Sequence, residues 1–403
     1  MSNKTVITLL GNNSGRNLGD AAILSSILEH LSQDIPNSKF YVPAIYTDWI
    51  TKNYSKDYDV KAINVMPWTL SIRLLGLPTL ISIAKSDMIL ICDGIIFGKK
   101  ILNPIFNYLI TLVFLVPFAK LFGVKVICYN CGIGPFPSKF SKWCAKWVMN
   151  LSDLITLRDH ADEKIARDLG VTKEITLAGD SAFINPVASE TRAKEVALKQ
   201  GISFDKPLMS INITSYLDAW LPKDMRLSSP DTFIEMLAEG INAASKTCGF
   251  QPLMISTQPM DEAVSNKLAK LINAKSVTNS DYDSHEIMSV MRCCDLHMGM
   301  RVHSNILASA VGVPVIGLIY APKVRGFLKL IGTPEYGLEL NSLDSSFVEE
   351  KITKAWETKD SVKKTQQSVV EKLKIGAKES GKLLREKFSN SPINSSKKTA
   401  KTA

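Results

Sequence analysis

The segment whose residue types and spacing best serve chemistry is Gly299-Met-Arg-Val-His-Ser-Asn-Ile-Leu-Ala. An apolar strand pattern, Leu296–Met300, ends there, and Ser304 heads a helix of small and apolar residues running to Val311. Arg301 and His303 then stand in the strand-to-helix turn, two apart in extended backbone, so that both side chains can face one crevice. The carboxyl ends of parallel strands are where open α/β sheets build their sites. An arginine there forks onto a carboxylate or phosphate, and the helix amino terminus at Ser304 adds N–H groups for the same anion. A histidine beside that anion titrates near neutrality and can give or take a proton. The plainer alternative is an Arg and a His that only cap a helix.

A second segment, Ser152-Asp-Leu-Ile-Thr-Leu-Arg-Asp-His-Ala, puts Arg158 and Asp159 at the carboxyl end of the strand Leu154–Leu157. Its alternative is a surface pair opening the helix Asp162–Leu169, with Asp159 as cap. Three glycine loops follow strand patterns. In Gly11-Asn-Asn-Ser-Gly-Arg-Asn-Leu-Gly-Asp, backbone N–H groups can hold a phosphate or sugar hydroxyl, with Asn17 and Asp20 reading the ligand. The other two are Asp93-Gly-Ile-Ile-Phe-Gly98 and Gly132-Ile-Gly-Pro135. None is a P-loop or a GxGxxG fingerprint. His30, His160, His285 and His297 lie in or beside elements and read as structural. No HxxH or HExxH pattern occurs, and no catalytic metal is expected.

These segments need a scaffold that aligns strand ends. Short apolar runs at Thr5–Leu10, Met88–Cys92, Val124–Tyr129 and Leu154–Leu157 alternate with helical patterns, which predicts a parallel sheet covered on both faces. Residues 187–207 read as a helix and linker, and a second series begins at Leu208–Ile213 and runs to Val315–Ile319. The expectation is an α/β protein of two Rossmann-like domains, 1–187 and 188–345. C-terminal helices follow over 346–390, then a disordered basic tail over 391–403.

Length and composition agree. At 403 residues, 45% hydrophobic and 22% charged, the chain has material for two cores and is neither fibrous nor disulfide-stapled. Its seven cysteines are scattered, and the Cys128-x-x-Cys131 pair sits in an apolar run, so buried thiols in a reducing, cytoplasmic compartment are expected. Residues 351–403 hold 14 Lys+Arg against 5 Asp+Glu, while the first 350 hold 34 of each sign. A neutral body with a basic tail is not a nucleic-acid binder. The opening residues carry no signal peptide pattern. Residues 101–119 are uncharged but interrupted by two prolines and two asparagines, which predicts a buried or interface-lying helix rather than a spanning one. With Leu74–Ala84 and the basic tail, it permits peripheral contact with the inner membrane leaflet.

Taken in order, GNNSGRNLGDAAIL, the GIGP loop, LRD, GDSAF and above all MGMRVHSNILASAVGVPVIGLIYAPKV resemble the polysaccharide pyruvyl transferase family over roughly residues 5 to 330. The resemblance implies a fold like the GT-B glycosyltransferases, with the active site in the inter-domain cleft. It also implies transfer of pyruvate from phosphoenolpyruvate to a sugar of a cell-surface polysaccharide or its precursor, free or lipid-linked, as a cyclic ketal. Phosphoenolpyruvate is then a co-substrate, and no cofactor is required. Carried over by residue, Arg301 and Arg158 grip the donor, the Val302 backbone and Ser304 contact it, and His303 is the catalytic acid. Asn17, Asp20, Asp93 and Lys323 are left for the acceptor. Two departures stand out: Cys92-Asp93-Gly94 replaces a Gly-Gly-Gly-type loop, and Ala321 replaces an acidic residue before Pro322-Lys323. A GT-B glycosyltransferase using a nucleotide-sugar is the alternative, with Glu286 as the acid that would read the ribose. A non-catalytic membrane-associated assembly factor is a third.

Overall fold

The computed structural model describes residues 4–215, 230–340 and 344–389, so the expected tail over 391–403 lies outside the described residues. The chain divides into two compact units. The first comprises Met1–Gly15, Ile23–Ser181 and Leu373–Ala403, and the second Arg16–Ala22 and Ala182–Lys372. The division thus falls at Ala182, near the expected 187. Two exchanges were not legible, however: seven residues of the first glycine loop and helix go with the second unit, and the end of the chain returns to the first.

The first unit contains strands β1 (Thr5–Leu10), β2 (Ser38–Ala44), β3 (Val60–Asn64), β4 (Ser71–Ile72), β5 (Leu75–Gly76), β6 (Met88–Ile91), β7 (Lys125–Cys131), β8 (Leu154–Leu157) and β9 (Thr176–Leu177). Its helices are α1 (Leu18–Asp34, begun in the second unit's portion), α2 (Thr47–Tyr54), α3 (Leu77–Ala84), α4 (Leu109–Leu121), α5 (Lys139–Leu151) and α6 (His160–Asp168). Apart from the β4–β5 hairpin, the strands form one parallel sheet in the order β3-β2-β1-β6-β7-β8-β9. Met-Ile-Leu-Ile of β6 is buried at every position, as a strand covered on both faces requires. Cys128 and Cys131 are free thiols within β7, fully buried, and burial lifts the Cys131 thiol well above its usual range.

The apolar stretch 101–119 is helical only from Leu109, after turns over 101–108, and α4 keeps Leu112, Leu115, Val116 and Ala119 inward. Among the described residues, no helix is long and apolar enough to cross a membrane.

The second unit holds α7 (Glu190–Gln200), β10 (Leu208–Asn212), α8 (Pro230–Cys248), β11 (Gln251–Ser256), α9 (Glu262–Leu271), β12 (Lys275–Thr278), α10 (Ser284–Met291) and β13 (Leu296–Gly299). After these come α11 (Val302–Ala310), β14 (Val315–Ile319), α12 (Pro322–Leu330), β15 (Gly337–Glu339), α13 (Ser345–Glu357) and α14 (Lys359–Ser389). Its sheet is again parallel, in the order β12-β11-β10-β13-β14-β15. In both sheets the order reverses beside the first strand, β1 in one and β10 in the other, the arrangement that opens a crevice at the strands' carboxyl ends.

From Leu373 onward α14 belongs to the first unit, and it seats there at backbone distance. A Cβ placed on Gly179 (φ +90°) would meet the Leu373 carbonyl oxygen at 2.4 Å, and one on Gly376 would meet that of Ala178 at 2.4 Å. Only glycine fits at either point.

Candidate active site

In the second unit, β13 ends at Gly299, and Arg301 holds extended backbone (φ −83°, ψ 133°) in the cap position of α11. The helix begins at Val302, two residues earlier than the sequence pattern suggested, so His303 lies on its first turn rather than in an extended loop. Arg301 is fixed at both ends. Its N–H donates to Asn212 Oδ1 at 3.1 Å. Its guanidinium forks onto Asp261, Nη2 donating to Oδ1 at 2.9 Å and Nε to Oδ2.

Asp261 has no exposed surface, and its Oδ1 also accepts from Thr214 Oγ1 at 3.0 Å and from the Ser215 N–H at 3.1 Å. A buried carboxylate is tolerable only when paired and hydrogen-bonded in this way. Nothing in the local pattern marks Asp261, because its partner lies 40 residues on and meets it only in the folded chain.

His303 is backed by Gly19. A Cβ on Gly19 would stand 2.2 Å from the imidazole Cγ and Nδ1, so the glycine lets the backbone of α1 press against the ring. Leu18 N–H donates to the Thr257 carbonyl at 3.0 Å, which ties this segment to the second unit. Asn17 and Asp20, expected to read a ligand, have different surroundings. Asn17 Oδ1 accepts from the Gly19 N–H at 3.0 Å as a helix cap, and Asp20 is buried in the first turn of α1.

Ser304, expected to contact the donor, has no exposed surface. Its hydroxyl donates to the Arg301 carbonyl at 2.7 Å and lies 3.2 Å from His297 Nε2. His297 Nδ1 is 2.8 Å from Ser210 Oγ. With Ser304 donating to Arg301, this chain is satisfied by a neutral His297 protonated on Nε2. Burial holds its pKa down to about 3, so it stays neutral. His297 and Ser304 therefore brace the turn from within. Val302 is half-buried, and Lys323 is exposed in the first turn of α12. Glu286 is engaged elsewhere, since it closes a capping box with Asp283 and accepts from Arg192 Nε at 2.7 Å.

In the first unit, Arg158 follows β8 with its Nε 2.9 Å from Asp180 Oδ2 and 3.2 Å from the Asn130 carbonyl, to which it donates. Its Nη2 reaches Asp93 Oδ1 only at 3.4 Å, long for a charged pair. Burial works against the charge of Arg158, but Asp180, then Asp93 and Asp162, outweigh it and raise its pKa. Asp93 sits at φ +64°, a left-handed position that Asp tolerates better than most residues. Asp162 was not singled out from the sequence. Its Oδ1 accepts from the Ile133 N–H at 3.1 Å, and burial followed by Asp159 pushes its pKa up to about 7. Beside this cluster, Gly11–Ser14, Arg73 and Tyr108 line a small pocket in which the Tyr108 hydroxyl donates to Asn12 Oδ1 at 3.1 Å. Among the described residues, no group of three His, Cys, Asp or Glu side chains could hold a metal ion.

The sequence profile of one family, polysaccharide pyruvyl transferase, matches residues 17–322. A curated relative, the amylovoran biosynthesis protein AmsJ of Erwinia amylovora, is 24% identical over 229 residues. That match spans about half of each chain, 54% of this one and 54% of AmsJ. Among solved structures, Os79 of O. sativa, in complex with U2F and trichothecene, superposes with a TM-score of 0.59 at 12% identity, covering 95% of this chain and 100% of that one. The UDP-GlcNAc 2-epimerase of Neisseria meningitidis gives 0.57 at 12% identity, covering 95% and 98%. At such identities the likeness is one of fold, the two-domain Rossmann-like GT-B arrangement.

Proposed function

The chain belongs to the polysaccharide pyruvyl transferase family, and we propose that it moves pyruvate from phosphoenolpyruvate onto a sugar of a cell-surface polysaccharide or its precursor, closing a cyclic ketal. The observation that carries this reading is the Arg301–Val302–His303 turn: a clamped guanidinium at the mouth of a helix amino terminus, with an imidazole one turn-position away. A trianionic donor suits cationic side chains and free N–H groups, and its phosphate leaves more readily when its charge is met. Arg301 and Arg158 bind the donor's anionic groups. His303 protonates the methylene carbon as one sugar hydroxyl adds to the neighbouring carbon; a second hydroxyl then displaces phosphate, and of the two hydroxyl protons one restores the imidazolium and the other leaves on the phosphate. A role in exopolysaccharide assembly fits the likeness to AmsJ, an amylovoran biosynthesis protein. The free, buried thiols suit a reducing compartment such as the cytoplasm, where phosphoenolpyruvate is made.

Calorimetry with phosphoenolpyruvate on wild type and on Arg301→Ala tests the donor assignment. Binding that the substitution abolishes, with an unchanged circular dichroism spectrum, supports it. Binding of a uridine or guanosine diphosphate in place of phosphoenolpyruvate sinks it. For the proton, full transfer activity in His303→Ala would remove that residue from its role.

A further inference from the structure

Between Asp93 and Asp153 the chain has seven lysines and not one acidic residue, although its first 350 residues taken together are balanced in charge. This run folds into α4, β7 and α5. Helix α5 buries Cys144, Ala145, Val148 and Met149, which leaves Lys139, Phe140, Lys142, Trp143, Lys146 and Trp147 on the outside. Phe140, Trp143 and Trp147 are 45%, 51% and 41% exposed. Their rings stack in a ladder, with centroids 6.1 and 5.8 Å apart and planes within 13° and 17°. A single exposed aromatic needs no explanation, but three in register along one helix, with a lysine between each, do. Neighbouring α4, packed on α5, adds Leu121 at 81% exposure and Phe114 at 60%.

We propose that this face of α5 docks the first unit on an anionic lipid bilayer. Tryptophan rings favour the headgroup level, where an apolar body and a polar N–H are both satisfied, and lysines beside them meet lipid phosphates. A second copy of the chain is the poorer occupant, because a two-fold contact through this face would set lysine against lysine. The proposal stands on α5 and not on the Arg301 turn, so it survives or fails independently of the assigned chemistry.

The test is co-sedimentation of the full chain with vesicles of phosphatidylcholine alone and with one third phosphatidylglycerol. Wild type is expected to partition onto the anionic vesicles, less so in high salt, with a blue shift of tryptophan emission and quenching by brominated acyl chains. Lys142→Glu/Lys146→Glu should lower that partitioning at least about tenfold. Trp143→Phe/Trp147→Phe should remove most of the emission shift while the protein still binds. Wild type left in the supernatant with anionic vesicles, emission unaltered by brominated lipid, or a dimer that the lysine variant dissolves would each overturn the proposal. The vesicle and quenching measurements on wild type need no variant to fold.

Discussion

The two arginines singled out in the sequence, one in each unit, are held in opposite ways. Arg301 is clamped: one fully buried carboxylate takes two of its nitrogens, and that carboxylate is itself held by Thr214 and Ser215. Arg158 is shared. Asp180 and the Asn130 carbonyl hold its Nε side, while Asp93 lies at the long distance of 3.4 Å and Asp162 stands near with a pKa near neutrality. A clamp fixes a plane before the ligand arrives and spares ordering cost on binding. A shared arginine can exchange a weak partner for an incoming oxygen. The first is built for position, the second for adjustment.

Breaking the clamp should do the most damage. Asp261→Asn keeps the shape but leaves the Arg301 charge without its counter-ion, and phosphoenolpyruvate affinity by calorimetry should fall at least about 100-fold, with a lower melting temperature. Arg301→Lys should be nearly as poor as Arg301→Ala, because an ammonium cannot reproduce a two-nitrogen fork. Next in size is Gly19→Ala, whose Cβ needs the space of the imidazole. Transfer kcat should drop about 10- to 100-fold while donor affinity holds; equal losses in both would mean that the glycine only supports folding. Arg158→Lys should cost only about tenfold in donor affinity. If it matches Arg301→Lys, the contrast between clamp and shared site is mistaken.

The smallest effect concerns Asp162. Its pKa is raised from 3.8 to about 7, so the folded state holds a proton that the unfolded chain has released between those values. Stability from this group is therefore present below about pH 4 and lost as pH rises toward 7. The melting temperature of Asp162→Asn should be flatter than that of wild type between pH 5 and 8, by a few degrees. Parallel curves would show that the carboxyl titrates normally.

What the sequence made legible was whatever one segment decides alone. Thr5–Leu10, Leu154–Leu157 and Val315–Ile319 are strands over those very residues, since a short apolar run flanked by helical patterns has few other uses. The edge-side strands β2 and β3, Ser-Lys-Phe-Tyr-Val-Pro-Ala and Val-Lys-Ala-Ile-Asn, mix polar residues and a proline into their runs and gave no such signal. Arg301 and His303 were singled out by type and spacing, and both stand where β13 gives way to α11. Asp261 was invisible because its meaning lies in a partner 40 residues away. For Asn17 and Asp20 the residue types alone do not separate cap from ligand-reader, because both roles use the same types at a helix start. Only contacts across the fold show that Arg16–Ala22 leave the unit that holds both flanks.

The reciprocal glycine contact of Ala178–Gly179 with Leu373–Gly376 changes what a shortened gene product would lack. A stop codon just after α13 looks like the loss of a basic appendage bearing no site residue. It would take away the bench on which the Ala178–Gly179 backbone rests, one residue before the carboxylate paired with Arg158. At this point the last helix meets the strand end through main-chain atoms, so an alignment of functional side chains would not flag the loss of that contact.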